Sequence, residues 1–102
     1  PIRCILDTGA PTSYFSNSTL IKGKQSCGVV EDFSPLCGKF STNLYPIELV
    51  VAGKTVPITC GVLPGLLAMS TALVADAIVG YDIFSLGPVE LDFKNRVITL
   101  GI

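Results

Sequence analysis

Short runs in which apolar and polar residues alternate dominate this chain, and a period of two residues predicts β-strands. The strongest pattern is a predicted hairpin, in which residues 47–51 and 56–60 face each other across Ala52-Gly53-Lys54-Thr55. A last hairpin is predicted for residues 89–93 and 97–100. Shorter strands are predicted where apolar residues cluster between turn residues: 2–6, which we expect to be mostly buried, 27–30, 40–45 and 77–79.

Glycine, proline and small polar residues mark the segments between these strands. Residues 31–38 have the composition of a long hairpin loop. Residues 66–75 are apolar but uneven, so they predict a loop, a short helical turn or both. Asp82 is placed to act as the N-cap of a short helix over residues 83–86, which Gly87-Pro88 would end. About eight short strands and one short helix predict an all-β barrel or sandwich.

The composition excludes several classes of function for this chain. It has 102 residues, of which 49% are hydrophobic and 15% charged, so we expect one folded domain over residues 1–102. Its net charge of −1 offers no basic surface for nucleic acid, and no segment reads as a membrane span or a signal peptide. The chain contains no histidine, which excludes Ser-His-Asp and Cys-His catalytic units and Cys2His2 zinc sites within it.

Two segments carry candidate chemistry. Ile5-Leu6-Asp7-Thr8-Gly9-Ala10 places a carboxylate directly after an apolar strand, where it is costly unless neighbouring groups donate hydrogen bonds to it. Asp-Thr-Gly is also a frequent turn sequence, so an ordinary turn closed by the Asp7 side chain is the structural alternative to a catalytic role. The second segment, Ile78-Val79-Gly80-Tyr81-Asp82-Ile83-Phe84, predicts a buried strand, a glycine and the start of a helix.

In this order and spacing, the two segments resemble the retropepsin-like aspartic proteases. That family includes the protease domains of retroviruses, retrotransposons and pararetroviruses. Residues 87–100 also look like the C-terminal part of the retrotransposon members, so the resemblance covers nearly the whole chain. It implies a small closed β-barrel-like fold with one short C-terminal helix and half of an active site in each chain.

The resemblance implies hydrolysis of a peptide bond by a water that two aspartates activate, with no cofactor and no metal. Asp7, Thr8 and Gly9 would be the catalytic segment, in which Thr8 bonds across a two-fold axis and Gly9 lets the backbone approach the substrate. Because the chain has one Asp-Thr-Gly, a second copy must supply the other aspartate, which implies a homodimer. Gly80 and Asp82 would support the site, with Asp82 capping the helix beneath it.

The residues expected to bind a polypeptide substrate follow from the same resemblance. A flap would close over the peptide and exclude water, while Ala10 and Ile78 would line the site. The tip of the flap would be Ser34, Pro35, Leu36, Cys37 and Gly38. The structural alternatives are an ordinary loop at residues 34–38 and plain core packing of Ile78.

The chain departs from the family pattern in two places. Many viral members pair an arginine after the second glycine with an acid after Gly-Ala, but here Tyr81 and Pro11 occupy those positions. We therefore expect apolar contacts or hydrogen bonding by Tyr81 to replace the ion pair. Only six residues precede Asp7, where family members have a further hairpin. Either that hairpin has been trimmed, or the C-terminal hairpin takes its place and residues 97–102 carry much of the subunit interface.

The cysteines leave two alternatives open. Free thiols are favoured for a protease released from a polyprotein in a reducing compartment, and a Cys27–Cys37 bridge across the base of the flap is the alternative. Cys4 and Cys60 lie in apolar runs and are predicted to be small core residues. The scattered positions of the four cysteines argue against a zinc site.

The leading hypothesis is an aspartic endopeptidase that processes a polyprotein, including its own release, in the cytoplasm or in a virus-like particle. The alternative is a catalytically weak retropepsin-fold module that dimerises or binds peptides, because a fold alone does not establish an activity. The intact Asp7-Thr8-Gly9 favours the enzyme.

Overall fold

The computed structural model describes residues 2–51 and 53–101, and 47% of these residues are in strands. The predicted turn residue Ala52 and the terminal residues Pro1 and Ile102 lie outside the described residues. The strands are β1 (Cys4–Leu6), β2 (Ser13–Phe15), β3 (Gly28–Ser34), β4 (Gly38–Val51), β5 (Lys54–Val62), β6 (Ala77–Val79), β7 (Val89–Asp92) and β8 (Val97–Leu100). The helices are a 3-10 turn at Ser18–Ile21, α1 (Gly65–Ala72) and α2 (Tyr81–Phe84). No helix in the described ranges is long and apolar enough to cross a membrane.

Six strands form one sheet in the order β1-β6-β2-β5-β4-β3, and β7 pairs with β8 in a separate sheet. The predicted all-β class is confirmed, but the closed barrel is wrong for the described residues, because β1 and β3 are opposite edges of an open sheet. β3 pairs with residues 38–44 of β4, whereas β5 pairs with residues 45–51. The β3–β4 hairpin therefore projects past the part of the sheet that contains β5, and β3 does not meet β1.

The core consists of two clusters on this sheet. Both contain side chains from the predicted hairpin of residues 47–60. The hairpin forms, but its register differs from the expected one by two residues: Ile47 aligns with Ile58, and Lys54 and Thr55, expected in the turn, belong to β5. One cluster joins β2, β4, β5 and β6 to the 3-10 turn through Phe15, Ile21, Ile47, Cys60 and Ala77. The other seats α2 against β5 and β6 through Val56, Val79, Ile83 and Phe84. Ile83 is fully buried, so α2 is fixed directly behind β6.

Strand β1 is exposed, contrary to the predicted burial of residues 2–6. All three of its residues are exposed, because β1 is an edge strand that pairs only with β6 among the described strands. The same exposure corrects the expectation that Cys4 is a core residue, whereas Cys60 is buried as expected. Burial, followed by the negative charge of Asp82, raises the pKa of the Cys60 thiol to about 12, so this sulfur stays protonated and unreactive.

Residues 31–38 are not a long loop but the end of one strand, a tight turn and the start of the next. Cys37 N–H donates to the Ser34 carbonyl (3.3 Å), and Leu36 N–H donates to Ser34 Oγ (3.2 Å). Gly38 follows with a φ of 76°, the left-handed residue that lets a three-residue turn match the twist of its strands. Most of residues 66–75 lie in the helix α1. The described residues therefore contain more helix than the single short one expected.

The extended hairpin excludes the proposed Cys27–Cys37 disulfide. Cys27 N–H donates to the Leu44 carbonyl at the base of the hairpin (2.8 Å), and Cys37 lies in the turn at its tip. The seven residues of β3 separate them by about 20 Å at the usual rise of a strand, whereas a disulfide needs Cα atoms within about 7 Å. All four cysteines are free thiols.

Gly38→Ala tests the turn chemistry. We expect a loss of about 1 kcal/mol in the free energy of unfolding, because no atom lies within 4 Å of the added Cβ and only the positive φ opposes it. Gly38→Asn is the matched control, since asparagine tolerates this backbone conformation better. Equal stability of the alanine and wild-type proteins in urea denaturation would show that the turn adopts another conformation in solution.

Candidate active site

Asp7 lies in a turn that hydrogen bonds to Val79 and Ala10 hold in place. Its own N–H donates to the Val79 carbonyl (2.9 Å), and its carbonyl accepts from Ala10 N–H (3.1 Å). The Asp7 Oδ1 accepts from Gly9 N–H at 3.0 Å. A Cβ on residue 9 would lie 3.3 Å from that oxygen, so glycine gives the carboxylate room to turn back over the backbone. The side chain is thus oriented by its own loop and remains exposed at the surface.

The second sequence segment lies directly beneath this loop. β1 and β6 pair in parallel with Leu6 aligned to Val79, so Asp7 and Gly80 emerge side by side. Tyr81 N–H donates to the Ala10 carbonyl at 2.7 Å. A Cβ on Gly80 would lie 2.4 Å from that same carbonyl oxygen. The backbone cannot yield that much, so the close approach of the two segments requires glycine at this position.

Asp82 supports the site, but not as the expected helix cap. The cap residue of α2 is Gly80, and Asp82 lies within the first turn of the helix. Its carboxylate accepts from Ser13 Oγ (2.6 Å) and from Ser13 N–H (3.2 Å), while Ser13 Oγ accepts from Gly80 N–H (2.9 Å). Ser13 is almost fully buried, so this three-residue network bonds β2 to the start of α2.

Other contacts stand at Tyr81 and Pro11, the positions at which many viral proteases have an arginine–acid pair. Tyr81 is 59% exposed, and no hydrogen bond from its hydroxyl is found among the described residues. The expected hydrogen bonding by Tyr81 is made by its backbone N–H, which donates to the Ala10 carbonyl and joins the two segments. The Asp82 carboxylate adds a bond from the second segment to Ser13 on β2.

A cavity of about 270 Å³ opens beside Asp7. Of the residues predicted to form the site, it is lined by Asp7, Gly9, Ala10, Ser34, Pro35 and Ile78. The structure thus brings the Asp-Thr-Gly loop, the predicted flap and the predicted subsite residue to one space. Thr8, Leu36, Cys37 and Gly38 do not line it, and Gly80 and Asp82 lie in the support below.

The remaining lining residues escaped the sequence analysis: Pro11, Tyr14, Asp32, Phe33, Phe40, Leu63 and Leu67. Two of them, Asp32 and Phe40, could have been predicted from the turn residues of the hairpin. Once Pro35 and Gly38 fix a tight turn, the pairing of Ser34 with Gly38 places Asp32 opposite Phe40. Tyr14 and Leu67 reach the cavity only through the packing of β2 and α1, which strand periodicity does not reveal.

Tyr14 introduces a polar contact into this largely apolar cavity. Its hydroxyl donates to Asp32 Oδ2, and Asp32 Oδ1 accepts from Phe33 N–H at 2.8 Å. Burial, followed by the hydrogen bond to Asp32 and the charge of that carboxylate, raises the pKa of the Tyr14 phenol far above its usual value. The phenol therefore stays protonated and acts as a donor at any physiological pH.

Chemically, this arrangement offers two carboxylates in a largely apolar cavity with a hairpin above it: the exposed Asp7, and Asp32, whose oxygens accept from the Tyr14 hydroxyl and Phe33 N–H. In residues 2–51 and 53–101, no three histidine, cysteine, aspartate or glutamate side chains converge as a metal site would require. Asp7 alone cannot both accept a proton from water and donate one to the substrate carbonyl, so acid–base hydrolysis at Asp7 needs a second group. Asp32 is already bonded to Tyr14 and Phe33 N–H.

Asp82→Ala tests the support beneath the site. We expect a loss of about 2 kcal/mol in the free energy of unfolding, because the buried Ser13 N–H and hydroxyl lose their charged acceptor. Asp82→Asn, which keeps one acceptor oxygen, is expected to lose less. If chemical denaturation finds the alanine variant as stable as the wild type, the Ser13–Asp82 bond does not hold these segments together.

Comparison of the chain with protein-family models, with curated proteins and with solved structures gave no match.

Proposed function

We propose that this protein is an aspartic endopeptidase of the retropepsin-like type, active as a homodimer. One observation carries the proposal: Asp7, oriented by a glycine turn that rests on Gly80, opens into a cavity under the tip of a β-hairpin. That combination suits a peptide bond held between a carboxylate and a flexible cover. The order and spacing of the two sequence segments support the same reading.

In the proposed mechanism, two copies bring their Asp7 carboxylates together with one proton and one water between them. The ionised carboxylate takes a proton from the water as the water attacks the peptide carbonyl. The protonated one donates a hydrogen bond to the developing oxyanion and then supplies the proton to the leaving amine. Two carboxylates about 3 Å apart cannot both carry a charge cheaply, so they share one proton.

The roles of the other site residues follow from their positions. Gly9 and Ala10 border the substrate backbone, and Ile78 adds an apolar wall next to Asp7. Ser34 and Pro35 lie at the end of β3 that meets the cavity, so closure of the hairpin would bury the peptide and exclude water. Thr8 is exposed beside Asp7, where it is free to bond to the partner's loop.

The exposed C-terminal hairpin supports the homodimer. Cross-strand pairing places Leu91 opposite Ile98 and Val89 opposite Leu100, which makes one face of the hairpin apolar. Leu100 packs against the core, but Leu91 and Ile98 remain 53% and 41% exposed. A two-stranded hairpin whose apolar face is only partly covered is marginal on its own in water, so we assign the exposed part of this face, Leu91 and Ile98, to the subunit interface.

The proposed substrate is the polyprotein from which the enzyme itself is released, as the resemblance to the retropepsin-like proteases implies. The alternative, a module that dimerises or binds peptides without cleaving them, shares the fold, the cavity and the interface with the enzyme. Only a measurement of hydrolysis separates the two.

Asp7→Asn is expected to reduce turnover at least about a hundredfold while leaving the fold and the dimer intact, because the amide keeps the shape but cannot exchange the proton. Cleavage of an unstructured protein such as casein at pH 4 to 6, with pepstatin as inhibitor, measures it. Glu31→Gln, which removes an exposed carboxylate outside the cavity, is the control. An active Asp7→Asn variant would refute the mechanism, and an inactive wild type that binds peptide would support the module.

Leu91→Lys combined with Ile98→Glu tests the interface. The two charges face each other and can pair, so the hairpin survives, but its apolar face is lost. We expect the protein to become monomeric in sedimentation and to lose activity. Val97→Lys combined with Thr99→Lys, on the opposite face, is the control that should stay dimeric. An active dimer in the first variant would place the interface elsewhere.

A further inference from the structure

Tyr14 contacts both strands of the hairpin that covers the cavity. We call residues 28–44 the flap hairpin: β3, the turn and the first part of β4. The Tyr14 hydroxyl donates to Asp32 on β3, and the Tyr14 ring stands edge-on to Phe40 on β4, with ring centroids 6.1 Å apart. Asp32 and Phe40 are direct cross-strand partners. One side chain therefore engages the two strands at the same rung.

The position of Tyr14 is rigid. It lies in β2, which pairs on one side with β5, where Tyr14 aligns with Gly61, and on the other with β6, where it aligns with Ile78. A Cβ on Gly61 would lie 2.8 Å from the Tyr14 ring and 2.7 Å from the Thr42 side chain. Glycine at residue 61 thus makes the space that the ring occupies, and Tyr14 is only 3% exposed.

The flap hairpin has few other attachments to the sheet. β3 is an edge strand that pairs only with β4 among the described strands. Near the base, Val62 N–H donates to Thr42 Oγ1 at 3.0 Å. Tyr14 meets the hairpin at Asp32 and Phe40, two residues beyond Thr42 and two residues before Ser34 and Gly38 at the turn. It is therefore the contact nearest the turn among those described.

We propose that Tyr14 is a positioning residue whose hydrogen bond to Asp32 latches the flap hairpin over the cavity beside Asp7. The latch has a donor that never ionises near neutral pH and an acceptor that moves with the hairpin. Opening the hairpin breaks the bond and admits a chain, and closing it restores the bond and narrows the cavity. Its consequence for catalysis rests on the proposed function, but its mechanical action does not.

The latch acts on binding rather than on chemistry. Tyr14 lines the cavity but is bonded to the flap hairpin, not to Asp7, so its removal leaves the reacting groups in place. A flap that closes less often holds substrate and transition state less tightly by the same factor. Loss of the latch should therefore raise KM and leave kcat nearly unchanged.

Amide hydrogen exchange tests the latch without any substrate. Tyr14→Phe keeps the ring and removes the donor, and Asp32→Leu removes the acceptor. Each should speed exchange in residues 29–34 and 38–42 about tenfold or more, the factor that corresponds to one lost hydrogen bond to a charged group. Asp32→Asn keeps an acceptor oxygen and should fall between these variants and the wild type. Tyr45→Phe, which removes a hydroxyl outside the cavity, is the control and should exchange like the wild type.

Unchanged exchange of the flap hairpin in Tyr14→Phe overturns the latch, and so does an equal rise in β1 and β6, which would indicate general loosening. A rise confined to the flap hairpin supports it, whether or not the protein cleaves peptides. If the wild type is active, KM of Tyr14→Phe should rise about fivefold or more with kcat within about twofold, and a fall in kcat alone contradicts the positioning role. A latch found in an inactive wild type would refute the proposed function and leave this inference standing.

Discussion

The close approach of the chain after Asp7 to the chain after Val79 is the contact on which the candidate site depends. The parallel pairing of β1 with β6 brings them together, and Tyr81 N–H and the Ala10 carbonyl then join them at 2.7 Å. There is no room for a side chain at Gly80. Two segments about seventy residues apart thus become one rigid platform, and the direction of the Asp7 side chain is a consequence of it.

The polar groups around this platform are satisfied within the fold. Ser13 donates to Asp82 and accepts from Gly80, so a buried hydroxyl and a half-buried carboxylate compensate each other. No buried side-chain nitrogen or oxygen lacks a partner in the described residues. The Asp7 carboxylate can stay exposed to water, because hydrogen bonds to the backbone orient it without burial of its charge.

Three exposed features of the described residues bear on association with another chain. The edge strand β1, the apolar face of the β7–β8 hairpin and the loop of Asp7 are all exposed. Edges and apolar faces of this kind are normally covered, since unpaired strand groups and apolar area favour association. In the proposed homodimer, the second copy would cover these surfaces and would also supply the second Asp7 that the proposed mechanism needs.

The flap hairpin, residues 28–44, could be predicted from the sequence only in part. A loop was expected over residues 31–38, and the structure confines the turn to residues 35–37, between the end of β3 and the start of β4. Proline and glycine mark this turn because they act through local backbone geometry. The extent of the strands beside them was underestimated, since Glu31 and Asp32 are poor strand formers that the hydrogen-bonded ladder nevertheless incorporates. The contact of Asp32 with Tyr14 was missed, as it joins positions that no periodicity relates.

The sequence by itself determined the strand-rich class, the hairpins of residues 47–60 and 89–100, and the two segments that carry the candidate chemistry. These properties depend on the alternation of side chains and on backbone conformations that few residues can adopt. Only the tertiary structure decided that the sheet stays open, that Asp82 bonds to Ser13 rather than capping a helix, and that β1 is exposed. Those outcomes depend on which strands pair and which faces are covered, and such long-range choices are settled by the free energy of the whole packed chain rather than by any local pattern.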